Sequence, residues 1–338
     1  MPQQKLIQLL ASAKELHASD IHLSPQRDNY HCYFRLNGDF CLMEAYSLTE
    51  AQKLITYLKF QASMDIGEKR RPQTGQYEIL LDHQKISLRL STLLDKSGLE
   101  SLVIRLFSEG DILPFYKSTP FLHHCLQMFQ NTEKNSGLLL FSGKTGSGKS
   151  SSMYGLAELL YQTHTRKVIT IENPVEHYHQ AFLQIEINEK AGLTYQEILR
   201  EVLRHDPDII IIGEIRDNET AQMAIRAALT GHLVLSTVHA GSLKGILNRL
   251  TELGLSKSDL AESLIGISHQ RIFSLYCPLC AGKCQPYCTH LKEKRTVLYE
   301  YLEHDAIWKQ QTCALSIARQ FRKGVCYGYF KTQSLERR

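Results

Sequence analysis

The sequence predicts an α/β core built on a parallel sheet, and three observations predict it. Between residues 137 and 238, strand-like runs at 137–142, 167–171, 208–213 and 233–238 alternate with helical stretches at 151–163, 194–205 and 218–230. The runs are rich in Ile and Leu, as in Ile209 to Ile212, which suits strands buried on both faces of a parallel sheet. At the first strand-to-helix junction stand Gly143-Lys144-Thr145-Gly146-Ser147-Gly148-Lys149-Ser150, which fill every fixed position of the pattern G-x-x-x-x-G-K-[ST].

The elements before that core are mixed. Lys5 to Ala13 has an apolar run broken by Gln8 and followed by Lys14 and Glu15, so it reads as an amphipathic surface helix and not as a signal peptide. His31 to Leu36, followed by Asn37-Gly38, reads as a strand entering a two-residue hairpin turn. Ser47 to Gln61 has helical spacing. Gln76–Leu81 and Lys85–Leu90 read as a strand pair, and Leu99–Phe107 as a further strand. The polar, Gly- and Pro-containing stretch from Ser108 to Pro114 is the expected boundary. The expected domains are residues 1–107, an α+β domain; 108–118, a linker; 119–270, the α/β core; and 271–338, a cysteine cluster with short helices.

Composition narrows the class. Hydrophobic content of 43% and charged content of 22% are those of an ordinary globular protein, and no apolar run approaches the roughly 18–20 residues that cross a bilayer. The expected location is the cytosol. Net charge is +4, too small to argue for nucleic acid. The charge is uneven: from Arg271 onward there are 12 Lys/Arg against 5 Asp/Glu, a basic end that can face anionic lipid or an acidic partner or can simply be solvated.

The Gly-Lys-Ser loop implies a nucleoside triphosphate, ATP or GTP. Its glycines let the backbone N–H groups of residues 143–151 turn toward a polyphosphate, and the following helix adds positive character at its N-terminus. Lys149 can then reach the outer phosphates, Ser150 can ligate Mg²⁺, and Ser151 completes the lining. Asp208-Ile-Ile-Ile-Ile-Gly213-Glu214 reads as a Walker B strand. Only its C-terminal end faces the phosphates, so Glu214 is the candidate for Mg²⁺ and the attacking water, while Asp208 caps or salt-bridges. Glu172 and Glu176 follow the strand at 167–171, and Thr237 and His239 end the strand at 233–238.

Taken together these segments resemble the secretion ATPase superfamily of type II secretion, type IV pili and DNA uptake. Thr170–Glu176 is similar to its Asp box, Asp206–Asp217 to its Walker B region and Gly231–Ala240 to its His box. Ser19-Asp20-Ile21-His22, Arg35 to Gly38, Arg71 to Gly75, and Arg89 and Arg105 resemble elements of its N-terminal half. The short chain, expected to lack the extra N-terminal domain of full-length secretion and pilus-extension ATPases, and the compact cysteine cluster look most like the competence branch of Gram-positive DNA-uptake machines. The resemblance implies a RecA-like core, ATP and Mg²⁺ as ligands, and a homohexameric motor peripheral to the inner face of the cytoplasmic membrane. Its implied partner is a polytopic inner-membrane platform protein of a pseudopilus machine, with no direct nucleic-acid binding. It also implies roles: Glu176 as general base, Glu214 for Mg²⁺ and water, and His239 as γ-phosphate sensor or coupler. Arg89 and Arg105 would be guanidinium fingers on the nucleotide, with plain salt bridges as the alternative. One position departs from the family, because Asn173 stands where the Asp box carries Asp.

Cys277, Cys280, Cys284 and Cys288 have C-x₂-C-x₃-C-x₃-C spacing, which suits one structural Zn²⁺; His290 is a substitute ligand, and redox-active or buried thiols are the alternative. Two rival functions use the same core: a nucleic-acid translocase, which needs a basic aromatic channel, and a nucleotide-binding scaffold with little turnover.

Overall fold

A computed structural model describes residues 2–81, 84–108, 113–134, 136–175, 177–188, 191–280, 288, 290–291 and 293–331. The chain divides into two units: residues 1–110 with 277–292, and residues 111–276 with 293–338. The segment bearing the cysteine cluster thus groups with the first unit, although it interrupts the second in sequence.

The first unit is an antiparallel sheet covered on one face by two helices. Its elements are α1 (Pro2–Glu15), β1 (Ala18–Pro25), β2 (Asn29–Leu36), β3 (Asp39–Ser47), α2 (Leu48–Gln61), β4 (Gln73–Leu81), β5 (Gln84–Leu94) and β6 (Glu100–Ser108). Strand order is β3-β2-β1-β6-β5-β4. The β2–β3 hairpin turns at Asn37 and Gly38, both at positive φ, as a two-residue turn matched to strand twist requires. Helix α2 opens with a capping box: the Ser47 hydroxyl accepts from the Glu50 N–H, and the Glu50 carboxylate accepts from the Ser47 N–H. Leu6, Leu9 and Leu10 of α1 and Leu54, Ile55 and Leu58 of α2 pack against Ile21, Leu88 and Ile104 of the sheet. The N-terminal amphipathic segment is therefore a helix whose apolar stripe is core. A buried ion pair crosses this core, Lys59 Nζ to Glu100 Oε1 at 2.6 Å, and Lys59 also donates to the Glu68 carbonyl. Removing either partner would strand a buried charge.

The second unit is a two-faced α/β layer. After α3 (His123–Lys134) come β7 (Gly137–Ser142), α4 (Lys149–His164), β8 (Val168–Glu172), β9 (Leu183–Glu186), α5 (Tyr195–Val202), β10 (Ile209–Ile212), α6 (Asn218–Leu229), β11 (Leu233–Val238), α7 (Leu243–Glu252), α8 (Lys257–Ser263), β12 (Leu264–Ser274), β13 (Arg295–Glu303), α9 (His304–Trp308) and α10 (Ile317–Cys326). The sheet order is β13-β12-β7-β11-β10-β8-β9, parallel throughout except where β13 pairs antiparallel with β12. Alternate residues of each central strand feed two cores. Leu138, Ile210, Ile212 and Val234 pack under α5 to α8, while Leu139, Phe141, Ile209 and Ile211 pack under α3 and α4. This is why the strands read as unbroken Ile/Leu runs: each side chain is buried on one face or the other, worth roughly 1.5–3 kcal/mol apiece.

The C-terminal region differs in two respects from an appendage of short helices. β12 runs without interruption from residue 264 to 274, across the boundary expected at 270/271, and β13 adds a strand to the main sheet. Leu298, Tyr299 and Tyr301 of β13 are buried, and Ile317 and Phe321 of α10 pack in one cluster with Leu298.

Candidate nucleotide site

The parallel register brings the carboxyl ends of β7, β11, β10 and β8 side by side, where ligands of open α/β sheets bind. From the end of β7 the chain turns through Gly143, Gly146 and Gly148, at φ +152°, +73° and +80°. Gly143 has no room for a side chain: a Cβ there would lie 2.5 Å from Ser147 Oγ and 2.6 Å from the Gln270 carbonyl oxygen. Gly148, in the left-handed region, is the residue before α4, so the loop delivers the chain directly into a helix N-terminus. Lys149 Nζ donates to the carbonyls of Gly143 (3.0 Å) and Lys144 (3.2 Å), and so lies across its own loop. Ser150 is half-buried in the first turn of α4. Lys144, Thr145 and Gly146 are exposed, as is Ser151, whose Oγ is 3.5 Å from His177 Nε2.

Glu214 follows β10 and is reached from two sides. His239, just beyond β11, places Nε2 3.0 Å from Glu214 Oε1, and Arg216 Nε lies 2.7 Å from Glu214 Oε2. Thr237 ties the two strand ends together, donating Oγ1 to the Gly213 carbonyl while its own carbonyl accepts from the Ile215 N–H. Two residues given separate roles from the sequence are thus in contact, and a third, Arg216, joins them. No sequence argument singled out Arg216, although its place two residues after Glu214 puts it within reach. At the other end of the strand segment, Asp208 accepts from the Lys167 N–H at 2.7 Å, a capping contact remote from the loop.

Glu172, the last residue of β8, is buried and accepts from the Thr170 hydroxyl at 2.8 Å and from the Tyr154 hydroxyl of α4. Gln184 in turn donates to Tyr154 Oη at 2.8 Å. Burial first, and then the Glu172 charge, push the Tyr154 phenol well above its ordinary pKa, so it stays a donor. Glu172 therefore fastens β8 to the helix that leaves the phosphate loop. Asn173 is exposed, and its bond to Pro174 is cis. Glu176 lies outside the described residues.

In the first unit a polar row crosses the open sheet face. Asp20 is the register partner of both Arg35 and Arg105, and Arg105 is the partner of Arg89. Arg105 Nε donates to Asp20 Oδ1 at 2.8 Å, and Arg35 Nε lies 3.8 Å from Oδ2. Burial by itself would raise the Asp20 pKa. Hydrogen bonds from Arg105 and Ser19, with the Arg105 charge, outweigh it and hold the carboxyl below its ordinary value. Like charges directly opposite repel, so the exposed Arg89 beside Arg105 leaves a row of three guanidiniums with one buried carboxylate. Such a row is disposed to accept an anion.

A donor cluster also forms from Cys277, Cys280, Cys288 and His290, whose ligating atoms all lie within 4.8 Å of one another. Tetrahedral zinc with Zn–S about 2.3 Å and Zn–N about 2.0–2.1 Å sets S–S near about 3.8 Å and S–N near about 3.6 Å. The cluster has Cys280–Cys288 at 3.6 Å, Cys280–His290 Nδ1 at 3.4 Å and Cys277–His290 Nδ1 at 3.9 Å. These separations fit one four-coordinate ion. Burial raises the Cys277 thiol pKa. Donors from the backbone of Cys280 and the side chains of His290 and Cys280 outweigh that and pull it below the ordinary value. Cys284 lies outside the described residues.

A model of the family "Type II/IV secretion system protein" matches residues 2–327. The competence protein ComGA of Halalkalibacterium halodurans is 39% identical over 339 residues, covering 98% of this chain and 97% of that protein. ComGA of Bacillus subtilis is 36% identical over 340 residues, covering 97% and 95%. Among solved structures, the pilus retraction motor PilT with bound ADP superposes with a TM-score of 0.69 at 23% identity, covering 97% of this chain and 95% of that one; at that identity the likeness concerns the fold.

Proposed function

Because the chain belongs to the type II/IV secretion system protein family, we propose that it is a motor ATPase that powers assembly of a pseudopilus for DNA uptake. The reading is carried by one conjunction: near end-to-end similarity to two competence proteins, in a chain whose loop 143–150 and Glu214–His239 pair stand at one sheet edge. Lys149 and the loop amides hold the triphosphate. Ser150 and Glu214 offer the oxygen donors that Mg²⁺ takes, and the ion would neutralise charge building on the phosphates. Glu176 is the proposed base, His239 the residue that feels Glu214 and the γ-phosphate together, and Arg89 and Arg105 the anion-facing guanidiniums. The working form is a homohexameric ring on the inner face of the cytoplasmic membrane, engaging a polytopic platform protein there. No helix among the described residues is long and apolar enough to cross a membrane.

The test is made in a competent host whose own copy is replaced by this gene. We expect Mg²⁺-dependent ATP hydrolysis by the purified ring that added DNA does not stimulate, and transformation that falls to background when Lys149 is changed to Ala. Hydrolysis driven by DNA would instead support the translocase. Normal transformation by the Lys149→Ala strain would remove the DNA-uptake role.

The cysteine segment is proposed to hold one structural Zn²⁺ per subunit through Cys277, Cys280, Cys288 and His290. Metal analysis of protein purified without added zinc should give about one zinc per chain, falling to near zero in Cys280→Ser. His290→Ala should lose most of the zinc while Cys284→Ser keeps it; the opposite pair of results would make Cys284 the fourth ligand. No zinc in the wild type would end the assignment.

A further inference from the structure

We propose that Gln270 is a positioning residue for the phosphate loop: its buried amide fixes the Ser147–Gly148 peptide so that the Gly148 N–H is aimed for nucleotide phosphate. This rests on the nucleotide reading above.

A loop that cradles an anion must turn its N–H groups inward, and its carbonyls then face away and need donors of their own. Gln270 supplies one. β12 runs parallel to β7 with His269 level with Ser142, and it continues where β7 gives way to the loop. Gln270 is fully buried, and its Nε2 donates to the Ser147 carbonyl at 2.8 Å and to Ser152 Oγ at 3.0 Å. The amide orientation follows from its partner, because a backbone carbonyl can only accept. A trans peptide is planar, with C=O and N–H on opposite sides. Holding the Ser147 oxygen toward Gln270 therefore turns the Gly148 N–H the other way. The second donation reaches Ser152, in the first turns of α4, so one side chain fixes both the last loop peptide and the helix that carries Lys149. The Gln270 backbone contributes as well, since its carbonyl oxygen would lie only 2.6 Å from a Gly143 Cβ and helps restrict that position to glycine.

Without the donor, the Ser147 carbonyl is left buried and unpaired, and the peptide is free to flip. Only the unflipped fraction binds, so apparent affinity falls by that fraction while bound complexes react as before. The expected signature separates KM from kcat. Gln270→Met keeps the side-chain length without a donor and should raise the Kd and KM for Mg-ATP about tenfold, which is about 1.4 kcal/mol, with kcat within about threefold of wild type. Ser152→Ala leaves the Ser147 contact in place and should shift KM less than about twofold. If Gln270→Met is not recovered folded, Gln270→Asn gives the same test, its amide one methylene short of Ser147. Unchanged KM with kcat falling alongside the assembled fraction would mean simple packing and overturn the proposal, as would equal effects of the Gln270 and Ser152 variants. Wild-type protein that fails to bind Mg-ATP would overturn the nucleotide reading instead.

Discussion

Lys149→Ala is expected to weaken Mg-ATP binding at least about a hundredfold while leaving the fold intact. Two unit charges about 4 Å apart interact by about 4 kcal/mol at the effective dielectric of a protein surface, and an ammonium-to-phosphate hydrogen bond adds directional strength. Loop amides carry only partial charges and do not replace it. Lys149 donates to the Gly143 and Lys144 carbonyls, and at the exposed Lys144 carbonyl water can take its place. The variant should therefore keep its circular dichroism and its assembly state. A fluorescent ATP analogue titrated into both proteins makes the measurement. Affinity within threefold of wild type would mean that residues 143–150 are not the triphosphate cradle.

Glu214→Gln should separate binding from turnover. The carboxylate lies between His239 and Arg216, with one oxygen toward each. An amide of the same shape retains an acceptor for one of them but loses the charge that orders Mg²⁺ and water. Positioned acid–base and charge contributions of this kind are typically worth 10²–10⁴-fold, so a single-turnover rate about a hundredfold or more below wild type is expected, with ATP affinity changed less than about threefold. Hydrolysis by the assembled variant at the wild-type rate would show that the working carboxylate lies elsewhere, and Glu176→Gln is then the next variant to assay.

Features set by local chemistry were the ones visible in the sequence. The Asn37-Gly38 turn and the glycine loop each depend on residues within a few positions of one another, and each occurs where the residue types demand it. The Ile209–Ile212 run needed only its own apolarity to be placed in mid-sheet. Strand β13 was hidden because Arg295, Glu300 and Glu303 lend its span a helical look, while its Val297, Tyr299 and Tyr301 alternation is short. What makes it a strand is pairing with β12, a decision taken at long range. The Asp20–Arg105–Arg89 row follows from strand register, and no spacing rule in one dimension contains it. Gln270 was out of view for the same reason: its partner Ser147 is 123 residues away. Arg216 was nearer at hand, but its meaning depends on Glu214 turning toward it.

The hydroxyl of Tyr299 is 2.8 Å from Ser152 and 3.0 Å from Ser118, so a residue near the chain's end helps brace the helix that begins at Lys149. That arrangement sets a timetable. A chain emerging from the ribosome has Ser152 outside long before Tyr299, which follows 147 residues later. At about 5–20 residues per second this interval lasts on the order of 10 s. During it the helix that leaves the loop exists without that brace. A truncated product ending before residue 299 lacks that brace from the outset.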